Sequence, residues 1–290
     1  MKENKEINAL LKLIDDPDEE VYQSVSERIA AYGNGIIPNL EDLWENTLNQ
    51  AVQERIEHLI HQLHYSDITA EFTGWSKAPH PGLLTGALLV AKYHYPDLVA
   101  APILQEIEKI KRTVWLELNN YLTPLEQANV VNNILFNYYH LKSIPLTYDH
   151  PDDFLVNKVL DYKKGNALSN GILYQVLCEL LDINARIISI PNQAILAFYR
   201  SDYNNISYKN NPQERIHFFI DGASGFAYSK QDITNYLKRM DLENTASIYN
   251  PLPVKKIIQT LLKEFSKCFT TVPNQYKRDE ILALAGLLDD

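Results

Sequence analysis

Covalent or metal chemistry in this chain would have to come from two cysteines, eight histidines and the hydroxyls and carboxylates set near them. A thiol attacks best at a helix N-terminus, where unpaired N–H groups and the positive dipole end lower its pKa. A histidine on a neighbouring strand then takes the proton, and an aspartate on the next strand fixes the imidazole tautomer. Cys178 does not fit that demand, because it sits between Leu177 and Leu180 late in an apolar run and reads as a small core residue near a helix C-terminus. Ser169 stands at the start of the same run, where serine ordinarily caps a helix and, without a base, is inert. His217 and Asp221 share a strand face, yet four residues of strand hold them about 13 Å apart. His58, His61 and His64 recur every third residue, so adjacent members could bridge a divalent metal, but helical drift carries the outer two to different faces. A solvated or packing role is expected for the three, with no metal and no cofactor.

The elements that must position these groups are mostly helical. The chain has 290 residues, 46% of them hydrophobic, with 27 basic against 37 acidic residues for a formal net charge of −10. That balance repels phosphate backbones and anionic lipid, so neither nucleic acid nor membrane is an expected partner. The charged start Met1-Lys2-Glu3-Asn4-Lys5-Glu6 leads into an amphipathic segment instead of an apolar signal or span, and two cysteines are too few for a disulfide framework. Both features point to the cytoplasm.

Between Ile7 and about His64 the apolar residues recur at helical spacing and predict four helices. Asp15-Asp16-Pro17-Asp18-Glu19-Glu20 supplies a cap and dipole-matching acids, and Gly33-Asn34-Gly35 supplies a stop. This stretch, with Ser26-Glu27-Arg28-Ile29-Ala30 and Ile36-Ile37-Pro38-Asn39-Leu40, resembles a HEAT-type repeat. Only one to one and a half repeats are visible, too few for a free-standing solenoid. Three further helices follow around Leu83–Ala91, Ile103–Leu118 and Val130–Tyr138, with Pro96 and Pro124 marking their ends. A helix from about Ser169 to Leu181 then gives way to strands at Ala185–Ile190, Ala194–Tyr199 and Ile216–Ile220. Helices are expected again at Val254–Phe269 and Lys277–Leu288. The order predicts an α+β fold, predominantly helical. The expected divisions are 1–70, 71–148, 149–240 and 241–290.

Three segments in order resemble the SirB family of bacterial transglutaminase-like proteins. They are the run from Phe154 to Tyr174 through Lys164-Gly165-Asn166, then Ile190-Pro191-Asn192-Gln193, and then Phe219-Ile220-Asp221. The resemblance implies a papain-like core, one central helix packed on a small antiparallel sheet and wrapped by helices. It also places the catalytic triad at Ala167, Gln193 and Asp221. Alanine has no nucleophile, and the glutamine amide neither accepts nor carries a proton near neutral pH. The expectation is therefore a noncatalytic protein that binds a protein or peptide, with Asn166, Ser169 and Asn192 as groove-binding candidates. Tyr148 and Asp149, in the loop before the core, are expected to help close the site region. Trp75 reads either as a surface aromatic or as a packing wedge. The competing expectation is an active amidase or acyltransferase using Ser169 or Cys178, and a third makes the helical flank the functional part.

Overall fold

Apolar spacing of three and four residues becomes helix throughout the first part of the chain in the computed structural model, which describes residues 2–190, 194–201 and 212–289. The helices are α1 (Lys2–Lys12), α2 (Glu19–Ala31), α3 (Ile37–Asn46) and α4 (Gln50–Ser76). Asp18 caps α2 by accepting the Glu20 N–H at 2.9 Å, and Glu19 and Glu20 face the positive end of its dipole. Ile14, Ile29, Leu40, Ile56 and Leu63 meet in one buried core. Helix α4 runs well past His64, where the expected helix stopped.

The chain divides into two compact units. The first ends at Gly74 and takes in Lys92–Pro96; the second holds Trp75–Ala91 and the chain from Asp97 onward. Trp75 is a buried wedge, not a surface aromatic, with its indole N–H donating to the Gly82 carbonyl at 3.0 Å. Helices α5 (Leu83–His94), α6 (Ala100–Glu117) and α7 (Pro124–Asn132) follow, α7 continuing as a π-helical turn over Asn133–Tyr138. Thr123 and Glu126 form a reciprocal capping box, so Pro124 opens α7 at its first turn, where a missing N–H costs nothing.

Two two-residue strands, β1 (Lys142–Ser143) and β2 (Lys164–Gly165), pair in parallel on either side of α8 (Val156–Tyr162). Helix α9 (Ala167–Leu180) is buried continuously from Ser169 to Cys178. The main sheet is an antiparallel meander in the order β3 (Ala185–Ile187), β4 (Ile195–Tyr199), β5 (Ile216–Asp221) and β6 (Ala227–Tyr228). Every residue of β4 is buried, which is why its sequence reads as an unbroken apolar run. Alternation sends Ile195, Ala197 and Tyr199 into a core shared with Ile233 and Leu237 of α10 (Lys230–Arg239), leaving Leu196 and Phe198 to the opposite face.

The outer edge of β3 is closed. The Ile187 N–H donates to the Gln175 side-chain carbonyl at 2.7 Å, and the Leu252 N–H donates to the Ile187 carbonyl at 2.8 Å. Helices α11 (Val254–Ser266) and α12 (Gln275–Gly286) finish the chain, tied by the Gln259 amide donating to the Ala285 carbonyl at 2.9 Å. The fold is α+β and mostly helical, as the sequence indicated. Among the described residues no helix is long and apolar enough to cross a membrane.

Candidate functional site

The site is built outward from the start of α9. Asn166 caps that helix, its side-chain oxygen accepting the N–H groups of Leu168 and Ser169, each at 3.0 Å. Its amide nitrogen donates to the Asp153 carbonyl at 3.1 Å, and the Ser169 hydroxyl donates to the same carbonyl at 2.8 Å. The helix thus begins at Ala167, two residues before the serine expected to start it. Ser169 is a first-turn residue and not the cap, because asparagine caps as well as serine does and meets the helix end first. Both side chains are buried, Asn166 at 0% and Ser169 at 4% exposure, so neither offers itself to a groove. Their polar atoms are spent on holding the helix start against the turn at Asp153.

Ala167 and Leu168 instead line a cavity of about 210 Å³ whose other walls include Ile188, Ile190, Ala194 and Glu264. One turn beyond Ala167, three backbones converge. The Gly222 N–H donates to the Ala194 carbonyl at 2.9 Å, and a Cβ on Gly222 would stand 2.6 Å from the Gly171 Cα. The helix start, the head of β4 and the end of β5 therefore meet at one corner, the geometry that nucleophile, base and orienting acid would need. Asn192 and Gln193 lie outside the described residues.

Asp221 stands at that corner, opposite Ile195 in the sheet register. Its carboxylate oxygens accept from the Ala223 N–H at 2.9 Å and the Ser224 hydroxyl at 2.5 Å. These bonds close the turn from β5 to β6. Gly225 completes that turn at φ +76, where a side chain would also run into Phe136, and the Asn132 amide donates to its carbonyl at 2.7 Å.

Cys178 is fully buried, and burial pushes its thiol pKa upward, opposed by Arg186 and aided by Glu179. Cys268 lies in the turn after α11. Burial and then the carboxylates of Asp153, Asp149 and Glu264 push its thiol up to about 12. His217 is exposed on β5. No group of three metal-ligating side chains occurs among the described residues, His58, His61 and His64 included.

The cavity has one carboxylate that sequence reasoning missed. Glu264 of α11 accepts from the Tyr148 hydroxyl at 2.7 Å and from the Lys267 ammonium at 2.7 Å. The bond from Tyr148 holds its phenol above the ordinary pKa. Tyr148 stacks on Phe154 with ring centroids 6.2 Å apart, so the loop carrying it is pinned between the helix start and α11. The only signal for Glu264 was its place among the polar positions of an amphipathic helix.

A family model described as the transglutaminase-like superfamily matches residues 101–263, more than half of the chain. The match opens at α6, well upstream of the three segments that carry the resemblance. Neither the curated proteins nor the solved structures give a match.

Proposed function

The chain belongs to the transglutaminase-like superfamily, and we propose that it is a noncatalytic member, a degenerate relative of the SirB type that binds a protein or peptide in the cytoplasm. The observation that carries this reading is Ala167, a methyl group at the first position of α9, facing the cavity where a nucleophile would have to stand. Neither substitute nucleophile is placed to replace it. Cys178 is buried eleven residues further along, and the Ser169 hydroxyl is bonded to a backbone carbonyl. The carboxylate of Asp221 is engaged within its own turn, so it supports the fold whether or not there is an imidazole to orient.

The cavity suits a side chain better than a reaction. Its walls are mostly aliphatic, with Ser189, Thr260 and the Glu264 carboxylate as the polar exceptions, and about 210 Å³ accommodates one aliphatic side chain of an extended peptide. The test is turnover of fluorogenic peptide, ester and glutamine-amide substrates by the purified protein. The reading requires no rate that depends on Ala167, Ser169, Cys178 or position 193. A rate abolished by substitution at any of these overturns it.

A further inference from the structure

The whole-chain charge hides a local reversal. Lys142 and Lys164 are direct partners in the parallel register of β1 and β2, which sets two like charges side by side on neighbouring strands about 4.8 Å apart. Lys163 precedes Lys164 with φ 51, a left-handed conformation that lysine seldom adopts. Two rings flank the ammonium groups of Lys158, Lys163 and Lys164. Lys163 lies 4.7 Å from the Tyr139 ring centroid, and Lys158 and Lys164 lie 5.6 and 5.8 Å from that of Tyr162. Tyr139 is buried and its hydroxyl donates to the Leu160 carbonyl at 3.1 Å; Tyr162 is 54% exposed.

Two acids lie beside the group, Glu106 hydrogen-bonded to Tyr139 and Asp161 near it, but each is ion-paired to another lysine. Asp161 pairs with Lys158 at 4.0 Å, and Glu106 pairs with Lys109 at 3.4 Å. Among the described residues no ion pair joins Lys142, Lys163 or Lys164 to a carboxylate. All three side chains are exposed. Like charges in direct register weaken a two-residue pairing, and an anion between them would turn that repulsion into attraction.

We propose that the Lys142, Lys163 and Lys164 surface, with Tyr162 as its wall, binds a short acidic segment of a partner protein. An extended segment presents a carboxylate on one face every second residue, about 7 Å apart, and long lysine side chains on strands about 4.8 Å apart have the reach to spread to that spacing. Long polyanions and anionic lipid fit worse, because they would feel the repulsion of a chain carrying −10 overall. The surface uses neither Ala167 nor the cavity beside it, so this inference stands or falls separately from the noncatalytic reading.

The experiment titrates labelled hexaglutamate into the full-length protein at low ionic strength, following fluorescence polarisation. Saturable binding is expected, weakening as salt is added. The triple variant Lys142→Gln, Lys163→Gln, Lys164→Gln is expected to lose about tenfold or more in affinity. A control of equal charge change, Lys12→Gln, Lys111→Gln, Lys277→Gln, keeps the affinity within about twofold if the effect is local rather than the long-range field. Circular dichroism verifies that both variants are folded. The proposal is overturned if hexaglutamate fails to bind, if the control loses as much as the triple variant, or if polyuridine or phosphatidylserine vesicles bind more tightly than hexaglutamate in a lysine-dependent way.

Discussion

Gly222 meets Gly171 so closely that a Cβ on Gly222 would stand 2.6 Å from the Gly171 Cα. One contact between two backbones therefore fixes how far the start of α9 stands from the end of β5, and with it the corner that Ala167 and Asp221 occupy. Replacing Gly222 by alanine should cost about 1–3 kcal/mol by overpacking. Gly74 lies inside α4 with nothing within 4 Å of an added Cβ. Gly74→Ala should instead stabilise, by about 0.5–1 kcal/mol, through helix propensity. Urea unfolding of the pair decides; equal effects would mean that the corner is not tightly packed.

Asn166→Ala removes the cap of α9 and one of the two donors on the Asp153 carbonyl, so a loss of about 1–2 kcal/mol is expected. Ser169→Ala leaves the cap in place and should cost about 1 kcal/mol. Chemical denaturation gives both numbers. A larger loss for Ser169 than for Asn166 would restore serine as the residue that starts the helix.

The start of α9 should still activate a thiol. In Ala167→Cys the sulfur would sit at the first helical position, where the dipole lowers its pKa below about 8.5. Alkylation by iodoacetamide at neutral pH should then modify the introduced thiol well before Cys268, and leave Cys178 untouched in the folded protein. A rate at position 167 no faster than that of Cys268 would show that this corner lacks the electrostatics inferred for it.

Burial and nearby carboxylates raise the Cys268 thiol from 9.0 to about 12. A thiol whose folded pKa lies above its unfolded value keeps its proton after the unfolded chain has lost its own. Its contribution to stability is complete below about pH 9 and falls as pH rises toward 12. Cys178, raised further by complete burial, acts in the same direction. Unfolding midpoints should therefore fall more steeply over that alkaline window in the wild type than in Cys178→Ala, Cys268→Ala. Parallel curves would contradict the shifts.

Much of this fold is legible in the sequence because long periodic runs report burial directly. The four helices of the first unit follow from apolar residues such as Ile14, Ile29, Leu40 and Ile56, and β4 from its continuous apolar sequence. Helix α8 is not legible, because seven residues are too few to display a period. Helix α10 escapes the same reading because it buries only Ile233 and Leu237 among polar neighbours, although its capping box of Ser229 and Asp232 is there to find. At the site, Asn166 and Ser169 both suit a cap, and the acceptor that buries them, the Asp153 carbonyl, arrives from a separate turn. Pairings between distant segments leave no local signature. Glu264 reaches the cavity from α11, and Lys142 joins Lys164 across α8, so neither could be read from its neighbours in sequence.

Whether the corner at Ala167 catalyses anything is decided by steady-state turnover of peptide, ester and glutamine-amide substrates by the purified chain, repeated on Ala167→Gly, Ser169→Ala and Cys178→Ala. A noncatalytic chain gives no turnover above the uncatalysed background in any of the four proteins. Turnover in the wild type that disappears in one of the variants would contradict a noncatalytic role.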